Sequence, residues 1–139
     1  MTNPAEELCA AAHTLRTLAT TASTATSTSV DNGGSPTSRW RFAEHGATGM
    51  GYLYAENPTG RGTRLLRTLG VGGRGHRDPA SMRTRHGAYA AAMDPTVGLA
   101  VAQALDEAAA SVEQDGGIVQ GSTAEALLDV ARAINGGQP

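Results

Sequence analysis

WRFAEHGATGMGYLY, residues 40–54, is the stretch that decides the fold. Trp40 and Phe42 alternate with Arg39 and Arg41, and Met50, Tyr52 and Tyr54 alternate with Gly51, Leu53 and Ala55. A period of two marks a half-buried strand, because successive side chains of a strand leave opposite faces of the sheet. His45, Gly46 and the Ala-Thr-Gly that follows supply the turn between the two runs, since glycine tolerates the backbone angles that tight turns demand. The alternation with arginine predicts that Trp40, Phe42, Tyr52 and Tyr54 form a buried face. Asn57-Pro58 with Gly60 and Gly62 gives the next turn, and Thr63 to Leu69 completes a three-stranded antiparallel sheet, although Leu65, Leu66 and Leu69 would equally suit a helical turn.

Outward from this sheet the period changes to that of helices. Upstream, Asn3, Pro4 and Glu6 combine an N-cap, a proline at the first helical position and an acid that can reach back. Leu8, Ala11, Ala12, Leu15, Leu18, Ala19 and Ala22 then recur at helical spacing, which predicts an amphipathic helix over 4–22,. Residues 23–38 are almost entirely Ser, Thr, Gly and Asn and read as a flexible linker,. Downstream, Asp78-Pro79 and Asp94-Pro95 each read as a helix start, aspartate being a preferred N-cap and proline favoured just after it,. Met82, His86, Tyr89 and Met93 share a face after the first; Val97, Val101, Leu105, Ala108 and Val112 share one after the second, over 96–114. A last helix over 123–134 opens with the capping box Ser122 to Glu125 and stops at Asn135-Gly136-Gly137,. The fold class is α+β: an N-terminal helix, a small antiparallel sheet and three C-terminal helices, in one domain spanning 1–139.

Composition bounds what such a domain can hold. At 139 residues, with one Trp, one Phe and three Tyr, the core is lean and depends on close helix packing of alanine,. One cysteine, Cys9, forbids an internal disulfide and suits a reducing compartment,. With no apolar run near the roughly 20 residues of a membrane span, and Glu6 and Glu7 where a signal peptide would be basic, a cytoplasmic location is expected.

Charge is sorted along the chain. All eleven basic residues are arginine, as expected of a GC-rich genome, and nine of them lie between Arg39 and Arg85. From residue 86 onward Arg132 stands alone against seven carboxylates. Guanidinium groups pair phosphate and carboxylate bidentately, so the position of the charge points to an anion site in the middle of the chain.

Gly70-Val71-Gly72-Gly73-Arg74-Gly75 matches G-x-G-x-x-G. Exposed amides there, with Arg67, Arg74 and Arg77, suit a phosphate. A dinucleotide fingerprint needs the glycines to open directly into a helix of a βαβ unit, and no such unit is visible. The expected ligand site is therefore Arg67, Gly72, Gly73, Arg74, Gly75 and Arg77, holding a small phosphorylated, nucleotide-like ligand or an acidic protein surface. A long nucleic acid is disfavoured by the net charge of −2 and the acidic C-terminal half,. Cys9 and His13 stand four apart on a helix but have no second pair at ligand spacing, so no metal or other cofactor is expected and Cys9 reads as a buried thiol. No nucleophile elbow, paired catalytic carboxylates or Ser/His/Asp arrangement is visible, which disfavours an enzyme. The alanine stripes permit close approach of another helix and favour a homo-oligomer; the alternative function is therefore a structural or assembly protein whose basic middle and acidic helices, with these Ala-rich surfaces, pair between subunits.

Two segments carry a resemblance: Tyr89 through Met93-Asp94-Pro95-Thr96-Val97-Gly98-Leu99 to Glu107, and Ala126 through Arg132 to Asn135. They resemble a group of small uncharacterised proteins from actinobacteria and their phages, in which a leading helix precedes a Trp-containing strand, and are similar to the Ead-like proteins of phage early regions. Members reach the tryptophan through a compact Thr-Pro-Gly-Pro turn, where this chain has Ser35-Pro36-Thr37-Ser38; they carry acids before the tyrosine, where this chain has Arg83, Arg85 and His86. The resemblance implies a phage or prophage accessory protein and brings no activity with it.

Overall fold

Asn3 opens the first helix by accepting the Ala5 amide on Oδ1 at 2.9 Å, which satisfies one of the orphan donors of a helix start. A computed structural model describes residues 3–24, 39–56, 63–65, 67–69, 77–79 and 81–136. In chain order these form α1 (Pro4–Thr24), β1 (Trp40–Glu44), β2 (Met50–Glu56), β3 (Thr63–Leu65), β4 (Arg67–Leu69), β5 (Arg77–Pro79), β6 (Ser81–Arg83), α2 (Thr84–Ala92), α3 (Pro95–Asp115) and α4 (Thr123–Ile134). The fold is α+β, with a helix before the sheet and three after it. The chain divides into two compact units, residues 1–20 with 97–139, and residues 21–96.

The first unit is helical and built on alanine. Ala5, Leu8, Ala11 and Ala12 of α1 pack with Ala102, Leu105, Ala109 and Val112 of α3 and with Leu128 and Ala131 of α4. Leu8 and Leu105 are its largest fully buried side chains, each contributing about 1.5–3 kcal/mol by burial. Alanine compensates for its small area by letting backbones approach; a Cβ on Gly98 would lie 3.2 Å from that of Ala19. Two ion pairs join the helices, Arg16 to Asp106 at 2.6 Å and Arg132 to Glu7 at 2.8 Å. The expected cap at Ser122 forms, its Oγ accepting the Glu125 amide at 3.3 Å. The Ser122 amide donates to the Val119 carbonyl, so only one half of the capping box is made.

The second unit is a sheet with one helix on it. β1 pairs with β2 antiparallel along its length, Phe42 opposite Leu53 and Trp40 opposite Ala55. The other edge of β2 is shared: β3 pairs with its C-terminal half, Tyr54 opposite Leu65, and β6 with its N-terminal half, Tyr52 opposite Ser81. β4 and β5 form a separate two-stranded ribbon. Helix α2 lies on the face of Trp40 and Phe42, tied to it where Thr84 Oγ1 donates to Glu44 Oε1 at 3.1 Å. The Phe42 ring sits between Gly51 of β2 and Gly87 of α2, and a Cβ at either glycine would overlap it. At the end of this helix the buried carboxylate of Asp94 accepts the Trp40 amide at 3.1 Å, so the residue before Pro95 anchors the start of β1.

Several expectations need correction. The aromatic residues do not share one face. With His45 and Met50 closing the hairpin through a 2.8 Å bond from the His45 amide, even-numbered residues of β1 stand opposite odd-numbered ones of β2. Trp40 and Phe42 thus share a face with Leu53, while Tyr52 and Tyr54 lie on the other. Asp78-Pro79 opens no helix; both residues lie in β5 and α2 begins at Thr84, with Arg83 at the N-cap and no side-chain cap bond. The pairing of Ser81–Arg83 with β2 overrides the local cap signal and puts Met82 in a strand. On α2 the expected stripe faces outward, with His86 exposed, Tyr89 70% and Met93 48% exposed. Gly87, buried in α2, meets the Phe42 ring. Leu18 is also exposed, and α1 continues through a buried Ser23 to Thr24, into the first residues read as linker; 25–38 lie outside the described residues.

Gly87 gives this arrangement a test with a definite sign. Glycine to alanine in a helix ordinarily gains about 0.8–1.0 kcal/mol, whereas forcing a methyl into a filled site costs about 1–3 kcal/mol. Gly87→Ala is expected to lower the urea midpoint followed by Trp40 fluorescence; a raised midpoint would show that Phe42 does not fill the space against α2.

Candidate anion-binding site

Between Leu65, opposite Tyr54, and Ser81, opposite Tyr52, the chain leaves the edge of β2 and returns to it two residues along. β4 and β5 belong to that excursion. Their register sets Arg67 opposite Pro79, Thr68 opposite Asp78 and Leu69 opposite Arg77. Because residues two apart on a strand share a face, Arg67 and Arg77 stand on the same face of the ribbon as diagonal neighbours, a separation of about 7–8 Å between backbones. Gly72, Gly73, Arg74 and Gly75 of the expected site lie outside the described residues; Arg67 and Arg77 are the two members that the fold brings together.

The charge of the unit favours the same chemistry. Residues 21–96 hold nine arginines against Asp31, Glu44, Glu56, Asp78 and Asp94, a balance of +4, and the other unit holds two arginines against eight carboxylates, a balance of −6. Arg41, Arg83 and Arg85 are exposed, and among the described residues neither Arg41 nor Arg83 has an ion-pair partner. Sequence reasoning left Arg41 and Arg83 out of the site. Their signal was the period of two, which becomes informative only once the register fixes which residues share their face.

Other candidates are weaker. A groove of about 420 Å³ in the helical unit is lined by Ala108, Val112, Leu127, Glu107 and Asp115, with the start of α4 at Thr123. Its two carboxylates oppose the attraction of that helix N-terminus for an anion. No group of three metal-ligating side chains occurs among the described residues, and no helix described is long and apolar enough to cross a membrane. Comparison of the chain with protein-family models, curated proteins and solved structures found no match.

Cys9, expected to be buried, is exposed on α1. Its thiol is nonetheless pushed up from the ordinary range, first by partial desolvation and then by the negative charges of Asp106 and Glu113. The neutral thiol is thus favoured in the folded protein, a preference complete below the ordinary thiol pKa and lost as pH rises through the raised one. Iodoacetamide is expected to alkylate Cys9 more slowly in the native protein than in the urea-unfolded chain near pH 8, the gap narrowing at higher pH. Equal rates near pH 8 would contradict it.

Proposed function

We propose that the protein acts by binding, without catalysing a reaction, as a phage or prophage accessory protein that holds a small phosphorylated, nucleotide-like ligand. The observation that carries this reading is the β4–β5 register, which sets Arg67 and Arg77 on one face of a ribbon whose two strands are joined through the Gly70-Val71-Gly72-Gly73-Arg74-Gly75 run. Glycine amides and paired guanidinium groups are the donor set that anions recruit. The positive balance of this unit raises the local concentration of a compact anion. An acidic protein surface would be recognised by the same groups and is the competing occupant.

Pyrophosphate and mono- and dinucleotides are the probes. A ligand at 100 times its dissociation constant adds about 2.7 kcal/mol to stability, a shift that thermal denaturation resolves readily. The double change Arg67→Ala/Arg77→Ala is expected to abolish the shift, and Arg74→Ala/Arg77→Ala to do the same, with the unliganded melting temperature little changed. No shift with any phosphorylated probe, or an unchanged shift in both double variants, overturns the reading.

A second reading is favoured by one observation. Beside the close approach of Gly98 to Ala19, Leu18 and Leu99 are left exposed, an apolar surface of the kind that self-association covers. The opposite balances of the two units offer a second way for copies to pair. Sedimentation at rising salt separates the two: an oligomer held by charge dissociates as screening shortens to about 3 Å at 1 M, while one held by Leu18 and Leu99 persists and is lost in Leu18→Glu.

A further inference from the structure

The face of the sheet turned away from α2 has a composition of its own. The pairings put Arg41 opposite Tyr54, Ala43 opposite Tyr52 and Met50 opposite Arg83, so these six residues share that face. Tyr52 and Tyr54 are partly buried, each keeping some surface in solvent, and both arginines are exposed. His45 packs against Tyr52 edge to face at 5.8 Å, bounding the platform at the hairpin end. Glu56 is the one acid that the register places there among the described residues.

Two aromatic rings on one strand, about 6.6–6.8 Å apart along it and flanked by guanidinium groups that have no ion-pair partner among the described residues, match the way proteins hold nucleobases: rings stack on the bases and arginines meet the phosphates. The other two aromatic residues of the sheet are unavailable for this, since Trp40 and Phe42 face α2. Placement adds a second argument. The chain departs toward the Arg67–Arg77 ribbon beside Tyr54 and returns beside Tyr52, so the ribbon is rooted at the edge of the tyrosine platform.

We propose that the face formed by Arg41, Tyr52, Tyr54 and Arg83 is a nucleobase-stacking site, and that the ligand is a nucleotide whose base stacks on a tyrosine ring and whose phosphate is met by the neighbouring arginines. This rests on the reading of the ribbon as a phosphate site and specifies its ligand. A free nucleotide and the end of a single strand present the same chemistry, and each tyrosine takes one base.

The test compares pyrophosphate, AMP, a 5′-phosphorylated dinucleotide and a 5′-phosphorylated decanucleotide by calorimetric titration on the full chain and on Tyr52→Leu/Tyr54→Leu. Stacking implies that AMP and the dinucleotide bind the parent more tightly than pyrophosphate does. The leucine variant is expected to lose about 5- to 150-fold for each base stacked while keeping its affinity for pyrophosphate. Its Trp40 fluorescence and melting temperature report whether it is folded. If it is not, Tyr52→Phe/Tyr54→Phe, which keeps both rings, must retain nucleotide affinity. Upfield shifts of the tyrosine ring protons on adding AMP to the parent give an independent signature. A dinucleotide stronger than AMP supports the second stacking place, and a decanucleotide stronger still identifies a single strand as the source.

Nucleotides that bind no better than pyrophosphate, a folded leucine variant indistinguishable from the parent, or unshifted tyrosine protons would overturn the stacking site while leaving the phosphate reading intact. Loss of pyrophosphate binding in Arg67→Ala/Arg77→Ala tests that reading separately. Absence of binding by every probe overturns both.

Discussion

The Phe42 ring, held between two glycines, is the contact on which the second unit depends. This chain has a single phenylalanine and a single tryptophan, both on one face of β1, the face that α2 covers. Gly51 admits the ring against the sheet and Gly87 admits it against α2. Helix and sheet therefore approach at backbone distance. With that face committed to packing, the hairpin register leaves Tyr52, Tyr54 and Arg41 on the opposite side, and a slip of one residue would exchange the two sets.

The helical unit solves the same shortage of large side chains differently. Its alanines bring α1, α3 and α4 close enough for two leucines to fill the centre, and dispersion between closely packed backbones substitutes for burial of bulk. Its carboxylates lie mostly outside that core and give the unit a balance of −6 against +4 in the sheet unit. The excess positive charge thus belongs to the sheet unit, where α2 carries no carboxylate to neutralise it.

Helix ends were legible because caps are local. Asn3, Asp94-Pro95 and Ser122 each satisfy or precede an orphan amide within their own turn, so α1, α3 and α4 begin where those residues say. The sheet was legible as alternation, but not its facing. That depends on how many residues close the hairpin between Glu44 and Met50, and a turn rich in glycine accepts more than one count. Asp78-Pro79 misled for a related reason: its cap chemistry is sound, yet strand partners far away in sequence decide the outcome. Of the candidate site, the residue types were readable at Arg67 and Arg77, while their meeting follows from a pairing that no local pattern encodes. Arg41 and Arg83 were invisible as a pair until β2 stood between them.

The shared edge of β2 has a consequence for how this chain tolerates change. Leu65 and Ser81 occupy consecutive same-face positions along one neighbouring track, interrupted where Leu53 stands. A chain joining residue 65 directly to residue 80 would run through that gap in unbroken register. The ribbon is thus a cassette spliced into a strand, and the sheet does not count its length. Because the entropy of closing such an excursion rises only logarithmically, by about 0.6 kcal/mol per doubling, ribbons of other lengths and other charges can be exchanged at these two anchor points without changing the register of the sheet.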